Sequence, residues 1–291
     1  MNVALILPLA IVAVALGASW FTPRIARPSA AVWALTISMV LTVAAIATLL
    51  VQLAAAGLSE VPIVADLIGW CPAIYAGQHG ATPIVSFAAF AILLFIVSRI
   101  VGFSRAVRAD IRNFEGVSGV QIVDVERPIA FAVPGNPGGV IMSRTLLAEL
   151  GRDERVVVLA HENAHLRFHH HVFVNLTRAC AAGVPLLAPI ARQVSFLTER
   201  WADEFAAEGV GSRRLVADTI ARVALLPGML TPSHAQGLAG VDVLSRFEAL
   251  ESPASMPAHH SASLVIATSA MAALGVVLQT VHLVNFLVHS Q

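Results

Sequence analysis

The chain has 291 residues, of which 57% are hydrophobic and 12% are charged, and its formal net charge is zero. This composition is far from that of a soluble globular domain and indicates a membrane protein. All 18 basic residues are arginine, which excludes chemistry that needs a lysine ammonium. The absence of net charge argues against direct nucleic-acid binding. The two cysteines, Cys71 and Cys180, have no CxxC spacing, so neither a disulfide framework nor a cysteine zinc site is supported.

Four stretches lack charged side chains for long enough to cross a bilayer, which requires about 20 apolar residues. The first has no positive charge before its apolar run, so a retained span is favoured over a signal peptide. The sequence therefore predicts four transmembrane helices, within residues 2–21, 30–57, 82–103 and 263–289.

The distribution of arginine predicts the orientation of these spans. Arginines lie in the loop 22–29 and directly after the third span, whereas the loop 57–82 contains none. We therefore expect both termini outside a bacterial-type plasma membrane. The predicted organisation is three N-terminal spans (1–103), a cytoplasmic domain (104–260) and a C-terminal span (261–291). All but two of the acidic residues lie between 110 and 251, which identifies this block as the water-facing part.

Within the cytoplasmic block, the sequence predicts a small sheet followed by helices. Residues 119–125 and 128–133 have strand character, and a turn-forming segment at 134–139 leads into a third short strand. Ser143 is expected to cap one helix and Asp153 the next. The fold class is thus a mainly α membrane protein with a cytoplasmic α+β domain.

The second of these helices carries the sequence His-Glu-x-x-His at residues 161–165. Positions i and i+4 share one face of a helix, so His161 and His165 can bind one metal ion. Glu162 lies about 100° round the helix from His161, where it can contact a metal-activated water but is poorly placed as a ligand. This spacing predicts a catalytic zinc site with Glu162 as the general base.

Catalytic zinc needs a third protein ligand, and the segment 198–208 can supply it. Glu199 and Asp203 are again i and i+4 on a helical stretch. Glu199 is the predicted third ligand, and Asp203 is expected to bond the free nitrogen of a ligand histidine. Glu204 and Glu208 remain alternative ligands, and a solvated helix face is the competing interpretation of the segment.

HExxH followed by Glu199, Ala202 and Asp203 in E-x-x-A-D spacing resembles the gluzincin signature of the HtpX and CAAX-prenyl-protease group. The BlaR/MecR family of membrane metallopeptidases shares this signature, and the predicted layout is most similar to that family. The resemblance implies a zincin-like fold, zinc bound by His161, His165 and Glu199, and catalysis by Glu162. It also implies regulated cleavage of a cytoplasmic protein, typically a winged-helix repressor.

One departure concerns the signal. BlaR and MecR sensors carry a penicillin-binding domain after the last span, whereas this chain ends at Gln291 and has no lysine for a Ser-x-x-Lys motif. Direct β-lactam sensing is therefore not expected. An HtpX-like quality-control peptidase and a non-catalytic pseudo-peptidase signal transducer remain alternatives. A metal transporter and an intramembrane protease are less well supported. The lipid bilayer is an expected partner, and the sequence leaves the oligomeric state open.

Three further residues are weaker site candidates. His169 continues the spacing of His161 and His165, so it could capture metal or simply form a polar helix end. His234 could stabilise an oxyanion, and Arg246, in the family-like segment 243–250, could support the site. Residues 172–191 are apolar enough to resemble a fifth span. One crossing would separate Glu199 from His161 by a bilayer about 30 Å thick, so a buried or membrane-surface hairpin is predicted instead.

Overall fold

The computed structural model describes residues 27–58, 83–114, 116–136, 138–228 and 239–252, together with positions 278 and 281. The predicted first span, His234 and, apart from positions 278 and 281, the predicted fourth span lie outside this part of the chain. The described helices are α1 (Pro28–Leu58), α2 (Pro83–Arg112), α3 (Arg144–Glu149), α4 (Arg152–Arg167), α5 (His170–Gly183), α6 (Ala188–Val210), α7 (Arg213–Ala224) and α8 (Ala239–Glu251). The described strands are β1 (Ser118–Val123), β2 (Ala130–Val133) and β3 (Gly138–Ser143). The described part is therefore mostly helical with one small sheet, as predicted.

Helices α1 and α2 correspond to the predicted second and third spans. Each is long and apolar enough to cross a membrane, by length and composition. They pack against each other along the faces that hold Leu50, Ala54, Ala89 and Ile96. The helical prediction is confirmed for both segments, but α2 continues to Arg112, beyond the boundary predicted at residue 103.

The sheet has the order β1-β3-β2, so β3 is its central strand. β1 pairs with β3 in parallel, whereas β2 pairs with β3 in antiparallel orientation. Gly139 on β3 is required by the close approach of β1, because a Cβ there would lie 2.5 Å from the carbonyl oxygen of Gly119. β3 is buried along its whole length and leads directly into α3.

Caps fix the two helices that follow the sheet. The hydroxyl of Ser143 accepts the backbone N–H of Leu146 at the start of α3, which confirms the predicted cap. The predicted cap of α4 is wrong. That helix begins after Gly151, whose N–H donates to the carboxylate of Glu154 at 2.7 Å, while Asp153 lies inside the first turn. Glu154 can reach back to the cap because it is three residues beyond Gly151.

Helices α5 and α6 form a hairpin joined by Val184 and a short 3-10 turn, Pro185–Leu187. One core contains residues of this hairpin and of the first half of α1, including Val32, Leu35, Phe173 and Val194. Residues 172–191 therefore form a helical hairpin packed on α1 and α2, in agreement with the interpretation that rejected a fifth span.

Candidate metal centre

The candidate centre lies between α4 and α6, which pack directly against each other. His161 and His165 are on α4, and Glu199 and Asp203 are on α6. Val157 on α4 and Ala206 on α6 belong to one buried cluster, so the two helices are held together by apolar contacts one turn from the polar groups. Packing therefore brings the two sequence motifs onto facing surfaces.

His161, His165 and Glu199 are arranged as a compact triangle of donor atoms. The Nε2 atoms of His161 and His165 are 3.1 Å apart. Nε2 of His161 lies 3.4 Å from Oε2 of Glu199, and Nε2 of His165 lies 3.6 Å from Oε1 of Glu199. A tetrahedral zinc ion with bonds of about 2.0–2.1 Å has donor–donor edges of about 3.3–3.4 Å. The residues present therefore fit a zinc ion in both chemistry and spacing.

Asp203 lies behind the first histidine. Its Oδ1 is 3.0 Å from Nδ1 of His161, the ring nitrogen opposite the one in the donor triangle. The Asp203 side chain is almost fully buried, with 2% of its surface exposed. A carboxylate in this position fixes the tautomer and the ring orientation of a ligand histidine.

Arg246 of α8 closes the polar cluster. Its guanidinium donates from Nε to Oδ2 of Asp203 and from Nη2 to Oδ1, both at 2.7 Å. Nη1 also lies 3.3 Å from Oε2 of Glu199. This bidentate contact fixes the orientation of the Asp203 carboxylate. The sequence placed Arg246 only among supporting candidates, and the structure puts it in direct contact with both acidic residues.

The electrostatics of the cluster favour a cation between the histidines. Burial acts to lower the pKa of His161, but Asp203 and Glu199 outweigh it and raise this pKa to about 10. Burial would raise the pKa of Glu199, yet His165, His161 and Arg246 hold it well below its usual range. In the absence of metal, a proton on His161 therefore occupies the position that suits a metal cation.

His170 is a neighbour of the centre that the sequence did not single out. Its Nδ1 lies 3.0 Å from Nδ1 of His165, so it stands behind the second histidine as Asp203 stands behind the first. His170 is buried, and burial lowers its pKa to about 3, which keeps the ring neutral and able to accept a hydrogen bond from His165. Its ring also packs against Trp201, with centroids 4.8 Å apart.

The structure does not place His169 with the donor triangle. α4 ends at Arg167, and His169 follows in the left-handed region with φ of 54°. The i+4 spacing from His165 therefore no longer corresponds to one helix face, because the helix has already ended. A run of three histidines contains no signal for this break, which explains why the sequence favoured His169 over His170.

The alternative acidic ligands have other environments. Glu204 forms an ion pair with Arg213, whose guanidinium also donates to the carbonyl oxygens of Ala249 and Leu250 at 2.9 Å. This contact ties α6 to the start of α7 and the end of α8. Glu208 is exposed, and among the described residues the potential metal-holding group contains only His161, His165 and Glu199.

Comparison with known proteins gives one family match. The model of Peptidase family M48 matches residues 96–182, a segment that includes the HExxH sequence but ends before Glu199. No solved structure gives a significant match. The match supports a metallopeptidase of the M48 type and does not single out the BlaR/MecR type.

Proposed function

We propose that this chain is a membrane-anchored, zinc-dependent endopeptidase. The observation that carries the proposal is the donor triangle of His161, His165 and Glu199, whose edges of 3.1, 3.4 and 3.6 Å suit tetrahedral zinc. The match to M48 peptidases, which covers the HExxH sequence, supports the same chemistry.

In the proposed mechanism, His161, His165 and Glu199 would hold a zinc ion, which would supply Lewis-acid polarisation of the scissile carbonyl and activation of water. Glu162 accepts a proton from the attacking water and returns it to the leaving amine. Its charge acts on both His165 and Arg246, which supports a location beside the donor triangle. Asp203 and Arg246 orient His161 and hold the acidic side chains in place.

The edge strand β2 offers a way to hold an extended substrate. β2 contacts α4, the helix of the zinc motif. The N–H of Ser143 donates to the carbonyl oxygen of Ile129, so alternate residues beyond it, Phe131 and Val133, also turn their polar groups towards β3. The backbone groups of Ala130 and Ala132 then point to the free edge, where a peptide can add as a further strand.

We further propose the membrane arrangement predicted from the arginines. α1 and α2 cross the bilayer, residues 104–260 form the cytoplasmic domain, and 261–291 form a last span. The proposed substrate is a cytoplasmic protein such as a winged-helix repressor, as in BlaR/MecR-type signalling. A second candidate, HtpX-like cleavage of membrane proteins, is favoured by the direct packing of α5 and α6 on α1, which keeps the centre close to the proposed spans.

The test compares Glu162→Gln with Glu208→Gln, a matched change at an exposed position of α6. Both variants and the wild type are purified in detergent and assayed for bound zinc and for cleavage of two substrates, a winged-helix repressor and an integral membrane protein. We expect one zinc per chain in all three. Cleavage should fall by roughly 10²–10⁴ only in Glu162→Gln.

Each outcome has a distinct meaning. Equal cleavage by both variants contradicts the assignment of Glu162, and the absence of zinc from the wild type contradicts the site itself. Zinc binding without cleavage of either substrate by the wild type favours the pseudo-peptidase alternative. Preference for one of the two substrates decides between signalling and quality control.

A further inference from the structure

The closed end of the α5–α6 hairpin is an apolar tip. Residues 181–191 contain no charged side chain and two prolines. Leu186 at its apex is 67% exposed, and Leu176 on the outer face of α5 is 41% exposed. A single exposed leucine is common on protein surfaces. An uncharged turn with exposed apolar side chains between two helices instead indicates a surface that contacts a membrane or a protein.

The tip lies beside α2 at the end of the apolar part of that helix. Val184 packs with Ile96 and Ile100 of α2. Contact is closest at Gly183, where a Cβ would lie 2.9 Å from Cγ1 of Ile100. Arg99 is the first charged residue of α2, so the tip is level with the boundary between the apolar and the polar parts of a proposed span.

Two arginines flank the tip at one level. Arg178 precedes Val184 by six residues on α5, and Arg192 follows Leu187 by five residues on α6, so they lie about 9 Å and about 7.5 Å from the tip. Arg105, exposed on α2, lies about 7.5 Å beyond Ile100 by the same measure. Along their helices, the backbone positions of the three arginines are therefore at a similar distance from the tip.

Arg178 differs from Arg246 in having no ion-pair or hydrogen-bond partner among the residues that the structure describes. Its side chain is half-buried, and burial lowers its pKa, whereas Asp203 outweighs burial at Arg246 and raises the pKa. A guanidinium without an acceptor among the described residues can bind an anion from outside the described part. Phosphate is well matched to it, because a guanidinium can donate two parallel hydrogen bonds to phosphate oxygens.

We propose that the tip, residues 181–191, is seated in the headgroup region of a phospholipid bilayer, with Arg178 and Arg192 bound to lipid phosphates. The apolar apex then meets the acyl-chain boundary, and the arginine stems pass along apolar surface to the phosphates. Glu199 lies seven residues beyond Arg192, about 10 Å along α6, so the metal ligands remain on the water side. The inference rests on the proposed membrane anchoring and not on peptidase activity.

A bilayer is favoured over a second copy of the chain for two reasons. The tip is continuous with α1 and α2, which among the described helices are the two long and apolar enough to cross a membrane. The flanking charges are all of one sign and level with the start of the polar part of α2, which is where lipid phosphates are expected. A second copy that met the tip through the same surface would instead have to place arginines against arginines.

The experiment measures depth at single cysteines in the full chain. In a Cys71→Ser background that keeps the buried Cys180, the substitutions Leu186→Cys, Phe95→Cys and Leu225→Cys are each labelled with an environment-sensitive fluorophore. Phe95 is 54% exposed in the middle of α2, and Leu225 is 83% exposed at the end of α7. The proteins are placed in nanodiscs of phosphatidylcholine and phosphatidylglycerol, with either spin-labelled lipid or aqueous iodide as quencher.

We expect the label at 186 to lose fluorescence to spin-labelled lipid and to resist iodide, as at 95, while the label at 225 shows the reverse. The double substitution Arg178→Gln and Arg192→Gln should reduce lipid quenching at 186. A matched pair, Arg152→Gln and Arg214→Gln, removes the same charge from exposed sites elsewhere and should leave it unchanged.

Three results would overturn the proposal. Iodide quenching at 186 equal to that at 225 places the tip in water. Protection from both quenchers means that protein, such as a second copy, covers the tip. A label at 95 that lipid does not quench removes the membrane anchoring itself, whereas zinc binding and cleavage, measured separately, bear only on the proposed peptidase.

Discussion

The two ends of the α5–α6 hairpin differ in whether the arginines beside them have acidic partners. The open end lies next to the metal centre, and the closed end is the tip at residues 181–191. At the open end, Arg246 is bound to Asp203 and Glu199 in a nearly buried cluster. At the closed end, Arg178 is half-buried with no partner among the described residues, and Leu186 is exposed. The acidic and basic groups of the open end are therefore paired with one another, whereas the closed end has a basic group that is unpaired among the described residues, beside an exposed apolar one. The same hairpin thus joins a preorganised site to a surface that needs an external partner.

The largest expected effect is at the open end. Arg246→Met removes the guanidinium that is bound to the buried Asp203 carboxylate and leaves His161 as its remaining cationic partner, which costs up to about 3–5 kcal/mol for a broken buried pair. The apparent free energy of unfolding in a non-ionic detergent, measured without zinc, reports this loss. The matched control Arg214→Met removes an exposed pair with Asp218 and should cost at most about 1 kcal/mol. Equal effects of the two substitutions would show that the cluster is not a buried network.

The next effect concerns the contact between the closed end and α2. Gly183→Val places a side chain within 3.0 Å of Ile96 and Ile100, and overpacking of this kind costs about 1–3 kcal/mol. Gly209→Val on α6 is the control, because no atom lies within 4 Å of a Cβ there. The additional substitution Ile100→Ala should restore part of the stability. If Gly183→Val is as harmless as the control, the hairpin does not pack closely on α2.

Zinc affinity tests which neighbouring histidine, His170 or His169, supports the ligand His165. His170→Ala leaves Nδ1 of His165 without its neighbour, and loss of such a contact typically lowers metal affinity by about 10–100-fold. His170→Asn should recover part of the affinity, because its amide oxygen can accept the same hydrogen bond. His169→Asn, which suits the left-handed backbone at that position, should leave zinc affinity unchanged. Competition with a zinc chelator measures the zinc affinity of all three variants. A loss of affinity in His169→Asn alone would show that His169, and not His170, supports the centre.

The sequence predicted the parts of this fold that depend on local patterns. The capping hydroxyl of Ser143, the three short strands and the two long apolar helices all follow from residue type and periodicity. The positions of His161 and His165 on one face of α4 follow from their i and i+4 spacing. These predictions succeed because each depends on a short stretch of chain.

What the sequence missed depends on tertiary contacts or on a local break in a helix. The contact of His170 with His165 requires α4 to end at Arg167 and the chain to turn at His169, and neither event has a marker in the histidine run. The two-fold contact of Arg246 with Asp203 joins residues 43 apart in sequence, which no periodicity predicts. The unpartnered state of Arg178 is likewise a property of packing.

The smallest expected effect completes the comparison at the closed end. Arg178→Met removes a guanidinium that has no partner among the described residues. In a sugar-headgroup detergent, the free energy of unfolding of the variant should therefore differ from that of the wild type by less than about 0.5 kcal/mol. In phospholipid nanodiscs the same substitution should lower stability, because the detergent offers no phosphate and the lipid does. Thermal unfolding of the wild type, Arg178→Met and Arg246→Met in detergent and in nanodiscs measures these changes. A loss of stability in detergent as large as that of Arg246→Met would mean that Arg178 has a partner within the protein. The arginines at both ends of the hairpin would then be paired.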